Sequence, residues 1–147
     1  MKEILLDTVK KQLDERMQNA WTAMQAAQAS ANSESKSSAG DKYETARAMG
    51  QLDRDMHARM YEQARQERAM VERIDLATAF QKGAFGALLQ TTMGTFFLAV
   101  SIGKLMIEKN TVMVISPQSP VGAVLLGKQQ GDTFTFRGVN YTIDAVS

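Results

Sequence analysis

Apolar and small residues recur every three or four positions through the first part of the chain. These positions are Leu6, Val9, Leu13, Met17, Ala20, Met24, Ala27 and Ala31. Alternating steps of three and four residues are typical of a coiled-coil seam, where one helix packs against another. No glycine or proline interrupts the pattern, which therefore predicts a single helix over residues 3–33, with Trp21 packed beside its seam.

A second and weaker apolar stripe predicts another helix over residues 41–78. Its seam positions are Ala46, Met49, Met56, Met60, Met70, Ile74 and Ala77, and the polar residues Asp53, Gln63 and Glu67 fall on the same stripe. We interpret the methionines as core side chains that fill gaps between helices. The serine-rich residues 32–40 favour a turn between the two helices. Residues 1–78 are therefore predicted to form an antiparallel coiled-coil hairpin roughly 50 Å long, with its tip near residues 34–44.

The spacing of apolar residues changes after residue 78, and short runs rich in Val, Phe, Thr and Ile follow. These runs cover residues 87–93, 96–102, 104–107, 111–115, 133–137 and 139–146. Their composition predicts strands, and Gly138 between the last two predicts a hairpin. Ser119 and Pro120 suit the cap and first position of a short helix that ends at Gly127. We therefore predict an α+β protein in which residues 79–147 form a small antiparallel β domain with one short helix.

The composition argues against several classes of protein. The 17 basic and 16 acidic residues leave a net charge of +1, so no overall field favours nucleic acid or a membrane surface. Without cysteine, disulfides and thiolate metal sites are excluded. Residues 83–103 carry no charge, but their polar side chains and internal glycines favour buried strands over a membrane helix. The first residues lack the apolar core of a signal peptide, so we expect a cytoplasmic location.

Two carboxylates, Asp41 and Glu44, stand three positions apart at the start of the second helix, directly after Gly40. Residues three apart lie on one helix face, where two carboxylates can share one hard cation such as Mg²⁺. The same spacing also fits a capping box, in which Asp41 binds backbone N–H groups and Glu44 reaches back to the chain. The sequence leaves both interpretations open.

Basic residues recur at intervals of seven along the second helix, at Arg47, Arg54 and Arg68, with Tyr61 completing the series. This stripe could contact RNA phosphates or the acidic wall of a partner. The usual explanation of such a stripe, which we prefer, is a solvated helix face with local ion pairs. His57, the only histidine, is expected to be a surface residue without a role.

The long helical hairpin followed by a small β domain resembles the bacterial Gre-type transcript cleavage factors. Two motifs carry the resemblance. The run Ile115-Ser116-Pro117-Gln118-Ser119-Pro120-Val121-Gly122, then Leu125-Leu126-Gly127-Lys128 and Gly131-Asp132, is similar to the carboxy-terminal signature of that family. The pattern Gly40-Asp41-x-x-Glu44 is similar to the acidic tip motif of the family. Together the motifs and the architecture cover essentially the whole chain.

The resemblance implies a function that completes the active site of another enzyme. An FKBP-like domain would dock on RNA polymerase through Ser116, Pro117, Ser119, Pro120, Gly127 and Lys128. The hairpin would enter the secondary channel, where Arg47 and Arg54 contact RNA or the channel wall. Asp41 and Glu44 would then hold a Mg²⁺ shared with the polymerase and orient water for hydrolysis of a backtracked transcript. The isolated protein would bind no cofactor, membrane or small-molecule substrate, and would meet the RNA 3′ end and DNA only through the polymerase.

Three positions after the tip depart from the family pattern. Thr45 stands where the family has Asn, and Arg47 and Ala48 replace an acidic and an aromatic residue. An alternative function is therefore a channel binder that inhibits or competes at RNA polymerase without stimulating cleavage. A scaffold or chaperone-like hairpin that never meets polymerase is a third possibility.

Overall fold

The computed structural model describes residues 1–34 and 41–147, including all their side chains except those of residues 33, 34 and 41–43. Its elements are α1 (Lys2–Glu34), α2 (Asp41–Glu72), β1 (Leu88–Thr91), β2 (Gly94–Leu98), β3 (Gly103–Ile107), β4 (Asn110–Ile115), α3 (Pro120–Leu125), β5 (Thr133–Phe136) and β6 (Val139–Val146). The residues form two compact units: a helical unit, residues 11–69, and a sheet unit, residues 1–10 with 70–147. The predicted α+β fold, with a helical hairpin and a β domain carrying one short helix, is confirmed.

The helical unit is an antiparallel pair formed by α1 and α2. Arg68 Nε lies 3.0 Å from Asp14 Oδ1. The rings of Trp21 and Tyr61 stack with centroids 5.4 Å apart. Further along, a Cβ built on Gly50 would lie only 2.9 Å from Ala31 Cβ. The residue numbers of the contacting positions therefore decrease along α2 as they increase along α1. The end of α1 and the start of α2 lie at the same end of this unit.

The α1 seam agrees with the predicted coiled-coil spacing. Leu13, Ala20 and Ala31 are buried, and Met17 and Met24 between them are half-buried. With the half-buried Ala27, successive positions are three or four residues apart and so lie on one helix face. The position of Trp21 beside the seam is also confirmed, because it stacks on Tyr61 while remaining 44% exposed.

The seam predicted for α2 is wrong by about one position. Met49, Met56 and Met60 are 64%, 41% and 51% exposed. The residues that face α1 are instead Gly50, His57 and Ala64, which recur at intervals of seven. The small residues Gly50 and Ala64 allow the two backbones to approach closely, and a methionine at Gly50 would collide with Ala31.

His57 is half-buried, and its Nδ1 is buried without a hydrogen-bond partner in the described part of the chain. The expectation of an ordinary surface histidine is therefore wrong. The sequence could have shown this, because His57 is seven residues from both Gly50 and Ala64.

The substitution His57→Leu is expected to raise the free energy of unfolding of the helical unit by about 1 kcal/mol, because it removes a buried polar atom that lacks a partner. Urea unfolding followed by helical circular dichroism measures the change. Gln25→Leu, at an exposed position of α1, serves as the control and should change stability by less than about 0.5 kcal/mol. If His57→Leu lowers the free energy of unfolding and Gln25→Leu does not, the imidazole makes a favourable polar interaction.

Helix α2 ends at Glu72, six residues before the predicted end at residue 78. The amides of Arg73 and Ile74 donate to carbonyls three residues back, at 3.2 and 3.1 Å, so the helix tightens as it ends. The carboxylate of Asp75 then accepts the N–H of Ala77 at 2.9 Å. Local bonding by an Asp side chain competes with helical bonding, which explains the early end.

The sheet unit contains six strands in the order β3-β4-β2-β1-β6-β5. β4 is parallel to β2, and the other pairings are antiparallel. The prediction of a wholly antiparallel domain is therefore wrong at this one pairing. After β2, the chain forms β3 at the edge of the sheet, not next to β2. It then turns back, and β4 pairs with β2 on one side and β3 on the other. Local sequence patterns predict hairpins but not such an insertion.

One hydrophobic cluster of the sheet unit packs strand residues together with α3. Its buried members are Ala87, Leu89, Phe96, Leu98, Leu125, Phe134 and Ile143. Most of the uncharged run of residues 83–103 lies in β1, β2 and the adjoining turns. Across the described ranges 1–34 and 41–147, no helix combines the length and apolar character needed to cross a membrane.

Candidate functional site

The predicted acidic tip is only partly described. Glu44 lies in the first turn of α2 and is exposed. Its carboxylate has no hydrogen-bond or ion-pair partner among the described residues. Asp41 is the first residue of α2, but its side chain lies outside the described part, as do residues 35–40, where the sequence predicts a turn. Because the helices are antiparallel, Glu44 lies near one end of the helical unit, about 36 Å along α2 from Arg68.

Of the predicted carboxylate pair, the structure describes only the side chain of Glu44. A solvent-facing Glu44 can offer its carboxylate to a cation that other molecules also bind. Within the described residues, no group of three or more His, Asp or Glu side chains is placed to hold a metal ion by itself. The choice between a shared metal site and a capping box depends on the Asp41 side chain, and both interpretations stay predictions.

The basic series on α2 runs beside the seam rather than along a free face. Tyr61 stacks on Trp21, and Arg68 binds Asp14. Arg54 is half-buried and lies 3.0 Å from its neighbour Asp55. Arg54 therefore makes a local ion pair on its own helix, whereas Arg68 makes an ion pair across to α1.

Contact of Arg47 and Arg54 with RNA or a channel wall stays a prediction. Arg47 is exposed in the second turn of α2, near Glu44. The pair between Arg54 and Asp55 is solvent-exposed, and such pairs stabilise a fold by less than about 1 kcal/mol. Arg54 could therefore exchange Asp55 for a phosphate at little cost.

Ser119 and Ser116 shape the loop that precedes α3. Ser119 Oγ accepts the N–H of Gly122 at 3.1 Å, which confirms it as the helix cap. The same hydroxyl donates to the carbonyl of Ser116 at 2.6 Å. Ser116 Oγ in turn donates to the side-chain oxygen of Gln118 and accepts its backbone N–H. Pro120 is exposed at the start of α3, where its fixed φ favours the helix.

Gly127 and Lys128 are held by a backbone contact with Gly83. The N–H of Gly83 donates to the carbonyl of Lys128 at 2.9 Å, and the N–H of Gly127 donates to the carbonyl of Gly83 at 2.8 Å. A methyl group on Gly83 would overlap the backbone oxygen of Leu125. Sequence reasoning considered Gly83 only as part of the uncharged run of residues 83–103 and missed this structural role.

The Gly131-Asp132 element closes the next turn. Asp132 Oδ2 accepts the N–H of Gln129 at 2.8 Å, and the N–H of Asp132 donates to the carbonyl of Gln129 at 3.0 Å. The signature residues therefore determine the shape of two loops. Leu126, which belongs to the signature but was not among the predicted docking residues, is 45% exposed beside Gly127.

Comparisons with known proteins find similar solved structures but no sequence match. No family model matches the chain, and no curated protein sequence matches it. A solved structure described as "Structure of the transcription factor Gfh1" is similar over 93% of this chain and 92% of that chain. The two sequences are 14% identical and the TM-score is 0.37, which is too low to support a statement about function.

Proposed function

We propose that this chain is a transcription elongation factor of the Gre type, which binds RNA polymerase and acts in its secondary channel. The observation that carries the proposal is the exposed carboxylate of Glu44, three residues after Asp41, near the end of an antiparallel pair of long helices. A pair of helices about 20 Å wide suits insertion into a channel better than enclosure of a small substrate. The proposal also rests on the sequence resemblance at the tip and in the signature loops.

Asp41 and Glu44 would together hold a Mg²⁺ that the polymerase also binds. Mg²⁺ is commonly held by one or two protein carboxylates plus phosphate oxygens and water, so two tip residues suffice when the enzyme and the RNA supply the rest. When bound, the ion supplies Lewis-acid stabilisation for phosphodiester hydrolysis. Glu44 would also accept a hydrogen bond from the attacking water and so orient it.

The sheet unit would dock on the polymerase through the two signature loops. Ser116, Pro117, Ser119 and Pro120 shape the first loop, and Gly127 and Lys128 shape the second. Leu126 would supply apolar contact area, and Lys128 a positive charge. A rigid loop loses little conformational entropy on binding, and the hydrogen bonds of Ser116 and Ser119 provide that rigidity.

A backtracked elongation complex with purified RNA polymerase tests the proposal. Asp41→Asn and Glu44→Gln are each expected to reduce stimulated transcript cleavage by at least about 100-fold, while binding to polymerase is retained. Asp53→Asn, which removes another exposed carboxylate of α2, is the matched control and should cleave like the unmodified protein. Unchanged cleavage with both tip variants would refute the assigned roles.

A non-catalytic channel binder is the second candidate. The observation that favours it is the set of departures at Thr45, Arg47 and Ala48, directly after Glu44. Such a protein would slow elongation in the same assay without releasing a short 3′ product. Slowed elongation that persists in Glu44→Gln would identify this function and exclude the cleavage role.

A further inference from the structure

One face of the helical unit carries an open groove of about 530 Å³. Its lining comes from both helices: Arg16, Asn19, Ala20 and Ala23 from α1, and His57, Met60, Gln63, Ala64 and Glu67 from α2. Alanines form much of its surface, while charged residues stand at one end. A groove of this kind between two helices can receive the side chains of another helix.

The two helices present side chains of very different size on this face. Met60 is followed on the same face of α2 by Met56 and Met49, at steps of four and seven residues, and all three are exposed. We call these three residues the methionine ridge. At the levels of Met60 and Met56, α1 carries Ala23 and Ala26, which are small and uncharged. The α2 side of the face therefore carries long, flexible side chains, and the α1 side carries short ones.

From this shape, we infer that the groove face binds a second copy of this chain. A two-fold axis parallel to the helices places α2 of each copy over α1 of the other. Because residues 21 and 61 lie at the same level within one hairpin, Met60 then meets Ala23 of the second copy. Met56 meets Ala26 of the second copy in the same way. Large side chains packed into small ones are the arrangement that fills a helical interface without voids.

The charges at the end of the groove favour the same arrangement. Arg16 on α1 and Glu67 on α2 lie at one level and both line the groove. The two-fold axis parallel to the helices places Glu67 over Arg16 of the second copy, and Arg16 over Glu67 of the second copy. A perpendicular axis would instead place α2 on α2, with methionine against methionine and glutamate away from arginine. Charge and size therefore select one orientation.

The size of the face predicts a dimer that depends on concentration. From Met49 to Glu67 the face is about 27 Å long, and two packed helices are about 20 Å wide. Each copy therefore contributes on the order of 500 Å², and the total of roughly 1,000 Å² lies at the lower end of specific interfaces. This inference does not rest on the proposed function in transcription.

Sedimentation equilibrium of the full chain, from about 1 µM to about 1 mM, measures the dimer directly. The mass should rise from 16.2 kDa to twice that value. Met60→Glu, and separately Ala26→Glu at an exposed position, should weaken dimerisation by at least about 30-fold, because each places a charge in the interface. Met106→Glu is the matched control, since Met106 is 63% exposed in the sheet unit. A mass that stays at 16.2 kDa, or an equal effect of Met106→Glu, would overturn the inference.

Disulfide formation tests the orientation, because the chain contains no cysteine. A mixture of Ala23→Cys and Met60→Cys chains should form a linked dimer of the two different chains under mild oxidation. Met60→Cys alone should form several-fold less, since its two copies lie on opposite sides of the axis. More linkage with Met60→Cys alone than with the mixture would overturn the two-fold arrangement.

Discussion

Replacing Gly83 by alanine is expected to lower the free energy of unfolding of the sheet unit by roughly 3–5 kcal/mol. The added methyl group would overlap the backbone oxygen of Leu125. Side-chain rotation cannot relieve this overlap, because the methyl carbon is bonded directly to Cα and the oxygen belongs to the backbone. The chain would have to move, which breaks the two hydrogen bonds that join Gly83 to Gly127 and Lys128. The predicted docking loop should therefore be displaced as well.

Gly127→Ala separates this effect from ordinary glycine preference. A Cβ at Gly127 meets nothing within 4 Å, but its φ of +77° is unfavourable for alanine. The cost should be about 1–2 kcal/mol, from backbone strain alone. The urea dependence of amide exchange in residues 88–146 measures both variants. If Gly83→Ala costs no more than Gly127→Ala, the close approach at Leu125 is not tight.

Replacing Leu13 by alanine is expected to lower the free energy of unfolding of the helical unit by about 3 kcal/mol. Leu13 is fully buried, and α2 is rich in small residues where it faces α1. Two helices whose contact depends on a few buried side chains lose much of their stability when one is truncated. Thermal unfolding followed at the helical circular dichroism band measures the loss.

Leu52→Ala is the matched control, because it makes the same chemical change at a leucine that is 66% exposed. Its effect should be below about 0.5 kcal/mol. Equal destabilisation by the two variants would mean that Leu13 contributes through helix propensity alone. An effect confined to Leu13→Ala would establish the α1 seam as the main source of stability in this unit.

The sequence predicted the elements well, because their signals are local. The α1 seam needs only the spacing of Leu13, Ala20 and Ala31, and the structure buries all three. The cap at Ser119 follows from a hydroxyl placed directly before a proline. Hairpins such as β5–β6 follow from alternation on both sides of Gly138. In each case the residues that decide the structure are neighbours in the chain.

The errors concern contacts between distant residues. For α2, the exposed methionines gave a stronger apolar signal than Gly50, His57 and Ala64, which make the actual contact. Hydrophobicity ranks methionine above glycine, but close packing of two helices favours the smaller residue. The insertion of β4 between β2 and β3 likewise depends on strand pairing that no short segment specifies.

The candidate site was predictable only where it depends on position along a helix. The spacing of Asp41 and Glu44 and the antiparallel pairing place Glu44 near the end of the helical unit, and the structure shows it exposed. The Gly83 contact could not be predicted, because it joins a loop to residues more than 40 positions away. The signature residues therefore indicate where the loops are. Gly83, which lies outside the signature, holds the loop at Gly127 and Lys128 in place.

The position of β6 has a consequence for synthesis on the ribosome. β6 follows all the other strands in the chain but pairs with both β1 and β5 inside the sheet. The sheet cannot be completed until residues 139–146 have emerged, whereas residues 11–69 are made early and fold through contacts among themselves. Nascent chains should therefore carry a formed helical pair while the half-built sheet still exposes apolar strands, which is the stage most open to chaperone capture.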